Sequence, residues 1–182
     1  GVEYPYLQPI GTLDLSNYTE SLAKFFDGVD LNKLQIICNK NLPQKDLSYC
    51  FYNSSFSDLS AITNLLSKVS GIGNLDYCFY QTTIDSLDVL REITMAANAT
   101  MNYTFAECPN LKSLNNVTIS RNVVAIEGMF SGCPITTVNN MTVNVAGSIS
   151  GIFKNCTRLA EINTFRIPNV TAVANVFEGC SS

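Results

Sequence analysis

The sequence predicts an α/β repeat solenoid. Each coil adds one short strand to a parallel sheet and returns through a short helix or 3₁₀ turn on the opposite side. Three observations carry this expectation. Phenylalanines recur at a nearly constant interval inside one small motif. An alternating aliphatic run follows three of them. The 182 residues are 46% hydrophobic and only 14% charged, apolar enough for a core and too apolar for disorder.

The motif is clearest at Phe105-Ala106-Glu107-Cys108-Pro109-Asn110-Leu111-Lys112-Ser113-Leu114 and at Phe153-Lys154-Asn155-Cys156-Thr157-Arg158-Leu159-Ala160-Glu161-Ile162. Phe25 with Gly28, Leu31 and Leu34 keeps the same offsets. A form one residue shorter occurs at Phe130 with Cys133, Ile135 and Val138, at Phe79 with Thr82, Ile84 and Leu87, and at Phe51 with Ser54, Phe56 and Leu59. Phe177-Glu178-Gly179-Cys180 opens a seventh. Successive phenylalanines stand 26, 28, 26, 25, 23 and 24 residues apart. A period in the twenties marks a solenoid, because each unit buries its apolar side only by stacking on its neighbours.

The second half of each coil reads as a strand. Val117 and Ile119 follow Leu114, Met141 and Val143 follow Val138, and Phe165 and Ile167 follow Ile162. Apolar residues two apart bury one face of a strand and turn their neighbours to the other. Asn116, Thr118, Asn140, Thr142, Thr164 and Arg166 therefore line a polar face, the candidate binding surface. In the coils of Phe51 and Phe79 this offset breaks: Asn64 and Glu92 fall where an aliphatic is expected. The segments before the phenylalanines, such as residues 123–130 and 170–177, are too short for free helices. They read as one helical or 3₁₀ turn on the back of the coil.

Residues 1–24 lie outside the pattern, with Tyr4, Pro5, Tyr6, Pro9 and Gly11 in an irregular opening. They read as an N-terminal cap on repeats spanning 25–182, with Leu13, Leu15, Leu22 and Phe25 covering the first coil. The motif at Phe177 stops before its aliphatics and strand, so the expectation is a longer parent whose continuation or neighbour covers that end.

The stretch from Ile162 to Cys180, with Ile167-Pro168 at a strand end and Phe177 three residues before Cys180, resembles the BspA-like leucine-rich repeats. The resemblance spans about residues 25–182 and is strongest from Phe105 onward. The alanine often found before the family's phenylalanine is replaced here by Cys50, Cys78, Thr104, Met129, Ile152 and Val176. The resemblance implies a leucine-rich-repeat solenoid of the kind found on bacterial and protist surfaces and in phage particles, associated with adhesion or with no known activity.

The remaining chemistry is sparse. Histidine is absent, which removes the commonest general base and most zinc and iron sites. Of the seven cysteines none forms a Cys-x-x-Cys pair, so neither a disulfide framework nor a zinc ribbon follows from spacing. Cys108, Cys133, Cys156 and Cys180 fall once per coil and read as small buried side chains rather than a redox or metal ladder. Gly28, Ser54 and Thr82 at the same place suggest that size, not sulfur, is selected. Asn-x-Ser/Thr sequons begin at Asn17, Asn53, Asn98, Asn102, Asn116, Asn140, Asn155 and Asn169. Strand alternation alone explains two of them. Asp27, Asp30, Asp58, Asp76, Asp85 and Asp88 read as solvated loop charges.

The net charge of −4 carries no basic footprint for nucleic acid. No apolar run is long enough to predict a transmembrane helix. The expectation is a non-catalytic module without cofactor or metal, extracellular, on a cell surface or in a virion. Its polar face meets a protein or glycan, or its end docks on neighbouring subunits as a structural spacer.

Overall fold

The computed structural model describes residues 11–43 and 45–181, so residues 1–10 of the expected cap lie outside it. The chain winds as a parallel-strand β-solenoid of about seven turns. In chain order its strands are β1 (Gly11–Asp14), β2 (Leu34–Ile37), β3 (Ile72–Asn74), β4 (Met95–Thr100), β5 (Ser113–Ile119), β6 (Val123–Glu127), β7 (Thr137–Val143), β8 (Ser148–Ser150), β9 (Glu161–Ile162), β10 (Phe165–Arg166) and β11 (Ala172–Ala174). One sheet joins β5, β7, β9 and β10; another runs β3-β4-β6-β8-β11; β1 pairs with β2. All these pairings are parallel.

The back of the solenoid is thus a sheet and not a row of helical turns. The segments before Phe130 and Phe177 are β6 and β11. Val123, Val124 and Ile126 are β-branched and favour extended backbone. In register with the coils on either side, their peptide groups find partners that a five-residue helix could not supply.

Nor does the polar-side sheet gain one strand per coil. An α-helix, α1 (Ser60–Ser67), and a 3₁₀ turn, Asp88–Arg91, take that side in the coils of Phe51 and Phe79. Ile62, Leu65, Leu66 and Val69 are all buried, and that spacing is one face of a helix. Asp58 accepts from the Ser60 amide at 2.8 Å ahead of the first turn. The apolar period changes from 2 to 3.6 there, which is why Asn64 is out of place for a strand.

Inside, the phenylalanines stack into one ladder. Neighbouring rings lie 5.3–6.0 Å apart and within 15° of parallel from Phe26 through Phe51, Phe79, Phe105, Phe130 and Phe153 to Phe177. The first rung is Phe26, correcting Phe25: Phe26 is 2% exposed, while half-buried Phe25 meets it edge-on at 4.8 Å. The first interval is then 25 residues, and Val29 rather than Gly28 holds the small position.

Each rung sits between two left-handed residues, one two positions before it and one two positions after. The pairs are Lys24/Gly28, Tyr49/Asn53, Tyr77/Gln81, Tyr103/Glu107, Gly128/Gly132, Gly151/Asn155 and Asn175/Gly179. This twist lets alternate amides reach the next coil. Tyr103, Phe105 and Glu107 donate to the carbonyls of Glu127, Met129 and Ser131 at 2.7, 3.0 and 2.7 Å.

Beyond size, the cysteine position carries a hydrogen-bond donor in every coil but that of Val29, with Thr82 donating to Phe79 of its own coil. The thiols of Cys108, Cys133, Cys156 and Cys180 donate to the carbonyls of Phe79, Phe105, Phe130 and Phe153, the preceding rungs, at 3.0–3.1 Å. The Ser54 hydroxyl does the same to Phe26. All seven cysteines are free thiols. Burial pushes the Cys156 thiol up to about 12 and raises Cys50 and Cys78 further; such thiols are poor nucleophiles. At the N-terminal end Leu15 and Leu22 are buried. On the last described coil Ile162, Val173 and Phe177 are exposed.

Candidate binding surface

The structure brings the six polar residues onto one face. Thr118, Thr142 and Arg166 are paired in register across β5, β7 and β10, and Val117, Ile119, Met141 and Val143 between them are buried. Asn116 and Asn140 break the alternation at φ +53° and +59°, a conformation asparagine tolerates better than most residues. Each strand bends there, and the pairing resumes one residue later. At the bend the amides bond in series: Asn140 Nδ2 donates to Asn116 Oδ1 at 2.9 Å, and Arg166 donates to Asn140 Oδ1 at 3.2 Å. Thr164 lies in the same bend, half-buried.

A second amide row escaped the sequence reading. Asn139 donates to Asn115 at 2.9 Å, and Asn163 donates to Asn139. Because the bend exposes two consecutive residues, strict alternation marked only one of each pair.

Where the 3₁₀ turn replaces a strand, the face steps down beside β5. The step leaves a cleft of roughly 400 Å³ lined by Asp85, Asp88, Arg91, Asn115, Asn116 and Thr118. Arg91 and Asp88 form an exposed ion pair at 3.4 Å on its rim. The cleft therefore offers amide, hydroxyl, carboxylate and guanidinium groups, a mixed hydrogen-bonding set suited to a polar ligand. Among the described residues no group of three or more cysteine or acidic side chains is placed to hold a metal ion.

A third surface lies on the edge formed by the phenylalanine turns. Tyr49, Tyr77 and Tyr103 stack in one row at 4.8 and 5.1 Å. Tyr52 and Tyr80 stack beside them at 5.0 Å. All five are half-buried. Tyr103 donates to the Glu127 carboxylate at 2.7 Å. That bond, with burial, pushes its phenol up to about 12. Burial, then neighbouring phenols and carboxylates, raises Tyr77 and Tyr80. The signal was present in the sequence: Tyr-Cys-Phe-Tyr occurs at residues 49–52 and again at 77–80.

No protein-family model, curated protein or solved structure matches this chain. Among the described residues no helix is long and apolar enough to cross a membrane.

Proposed function

We propose that this chain is a non-catalytic binding module, a BspA-like leucine-rich-repeat solenoid that presents its asparagine–threonine face to a protein or glycan at a cell surface or on a virus particle. The observation that carries the reading is the polar face itself. Its side chains are fixed by in-register pairing and by serial amide bonds, and it adjoins a cleft of mixed donors and acceptors. A preorganised polar array loses little side-chain freedom when a ligand arrives. The leucine-rich-repeat assignment rests on the Phe-x-x-Cys coil and its spacing.

Cross-linking mass spectrometry on the protein in its native source tests this. Links from segments around Asn116, Asn140 and Arg166 to one surface protein, lost in a Thr142→Ala/Arg166→Ala variant of unchanged stability, support the reading. A variant that keeps those links refutes it. A second reading is a spacer in an envelope or particle, which would set side chains such as Ile162 and Val173 against a neighbouring subunit. It requires the isolated chain to self-associate, so a monodisperse monomer in sedimentation at high concentration refutes it.

A further inference from the structure

The tyrosine cluster is costly to build. The position two before each rung is left-handed in every coil, and three coils fill it with Gly128, Gly151 or Asn175, which adopt that conformation readily. The coils of Phe51, Phe79 and Phe105 fill it with tyrosine at φ +51° to +57°. A bulky side chain there is strained, and strain that a neighbouring coil shows to be avoidable points to a use. The rings are not needed to close the core, since the phenylalanine ladder beneath them does that.

Stacking leaves few ring faces free. Tyr77 lies between Tyr49 and Tyr103, and Tyr103 covers Gly128, where a Cβ would stand 2.2 Å from the ring. Two faces remain at the end nearer Phe26. That of Tyr49 is taken by the Lys24 ammonium, 5.4 Å from the ring centroid. Beside it, Tyr52 has Tyr80 on one face only. On its other side the equivalent position one coil earlier is Asp27, which is exposed. Next to Asp27, a Cβ on Gly28 would meet no atom within 4 Å other than its own chain neighbours. So the end face of one tyrosine row carries a cation, and the coil position preceding the other row carries an exposed carboxylate. Exposed Glu107 and Glu127 continue the acidic surround, with Lys24 the basic side chain that lies over a ring.

We propose that this edge is a second docking surface, separate from the asparagine–threonine face, for a basic protein segment. An arginine or lysine side chain of the partner lies on the open face of Tyr52 and pairs with Asp27. The electron-rich ring face attracts the cation, the carboxylate adds an ion pair, and both weaken in salt.

Titration of the whole chain with hexa-arginine tests this. Tyrosine emission serves as the readout, since the chain contains no tryptophan. Hexaglutamate and a neutral oligosaccharide are the comparison probes. Hexa-arginine is expected to bind with salt-dependent affinity, and Asp27→Asn and Tyr52→Leu to weaken it about fivefold each. Glu92→Gln, which removes the same charge from another exposed site, should leave binding within twofold. Asp27 is exposed, so its variant folds even if Tyr52→Leu does not. Equal loss in Asp27→Asn and Glu92→Gln would reduce the effect to net charge and overturn the proposal. So would undiminished binding in Asp27→Asn, or preference for the neutral oligosaccharide.

Discussion

Truncating one rung in the middle of the ladder tests how the solenoid is held together. Phe105 is fully buried and stacks at 5.3 Å on Phe79 and 6.0 Å on Phe130. Replacing a buried phenylalanine by alanine costs about 3–5 kcal/mol in lost transfer energy and residual cavity. The two ring contacts add about 0.5–1.5 kcal/mol each beyond their area. Relaxation is limited, because amides on both sides of the rung bond to the next coil and fix the spacing. Phe105→Ala should therefore cost about 5 kcal/mol, comparable to the whole stability of a marginal domain. Phe177→Ala is the control: that ring is 44% exposed and stacks on one face only, so its loss should cost below about 2 kcal/mol. Urea denaturation followed by circular dichroism gives both values from the midpoints. Coils of a solenoid can unfold in sequence, so the slopes need comparing as well. If the two variants lose the same stability, the ladder is not the continuous core described above.

The same assay distinguishes the two candidates for the first rung: Phe26→Ala should cost about 3 kcal/mol or more and Phe25→Ala less than half of that, and the reverse order would restore Phe25. Gly128→Ala puts a methyl group 2.2 Å from the Tyr103 ring on a backbone at φ +55°, and should cost about 2 kcal/mol or more; a melting temperature within a degree of the parent would show that the ring moves aside freely. Alkaline titration at the phenolate absorbance band should show Tyr77, Tyr80 and Tyr103 ionising late, Tyr103 near 12. Because its folded pKa lies above the unfolded value of about 10, the Tyr103–Glu127 contact contributes fully below that pH and is lost as pH rises through 12. Glu127→Gln should bring that last phenol down, and an unchanged profile would remove the carboxylate as the cause.

The repeat was legible because it is written in large apolar side chains at fixed intervals, and Phe51 through Phe177 stand where those intervals place them. What failed was reading each coil as strand plus helix. Short segments such as residues 123–127 are ambiguous by length, since neither period completes within five residues. Only the adjacent coil, which pairs with their amides, decides for strand. The first rung failed for a different reason. Phe25 and Phe26 are neighbours, and offsets to Gly28 fit the first as well as offsets to Val29 fit the second. The left-handed residues resolve it, because Lys24 and Gly28 bracket Phe26 symmetrically, and backbone handedness leaves little trace in a sequence when lysine, tyrosine and glutamate adopt it.

Backbone handedness also bears on where function lies in a solenoid. A position that must be left-handed is cheapest as glycine or asparagine, and the later coils use them. Where the sequence departs from the cheap choice, at Lys24, Tyr49, Tyr77, Gln81, Tyr103 and Glu107, the departures fall in the first four coils, and the aromatic ones share one surface. The asparagine bends follow the opposite logic: Asn116 and Asn140 satisfy the backbone and present amides at once, so their presence is explained by folding alone. The tyrosines have no such explanation, since the core closes beneath them and the coils of Phe130 and Phe153 stack without them. Their rows are therefore the ground for the second docking surface proposed above, while the asparagine–threonine face remains the more regular of the two.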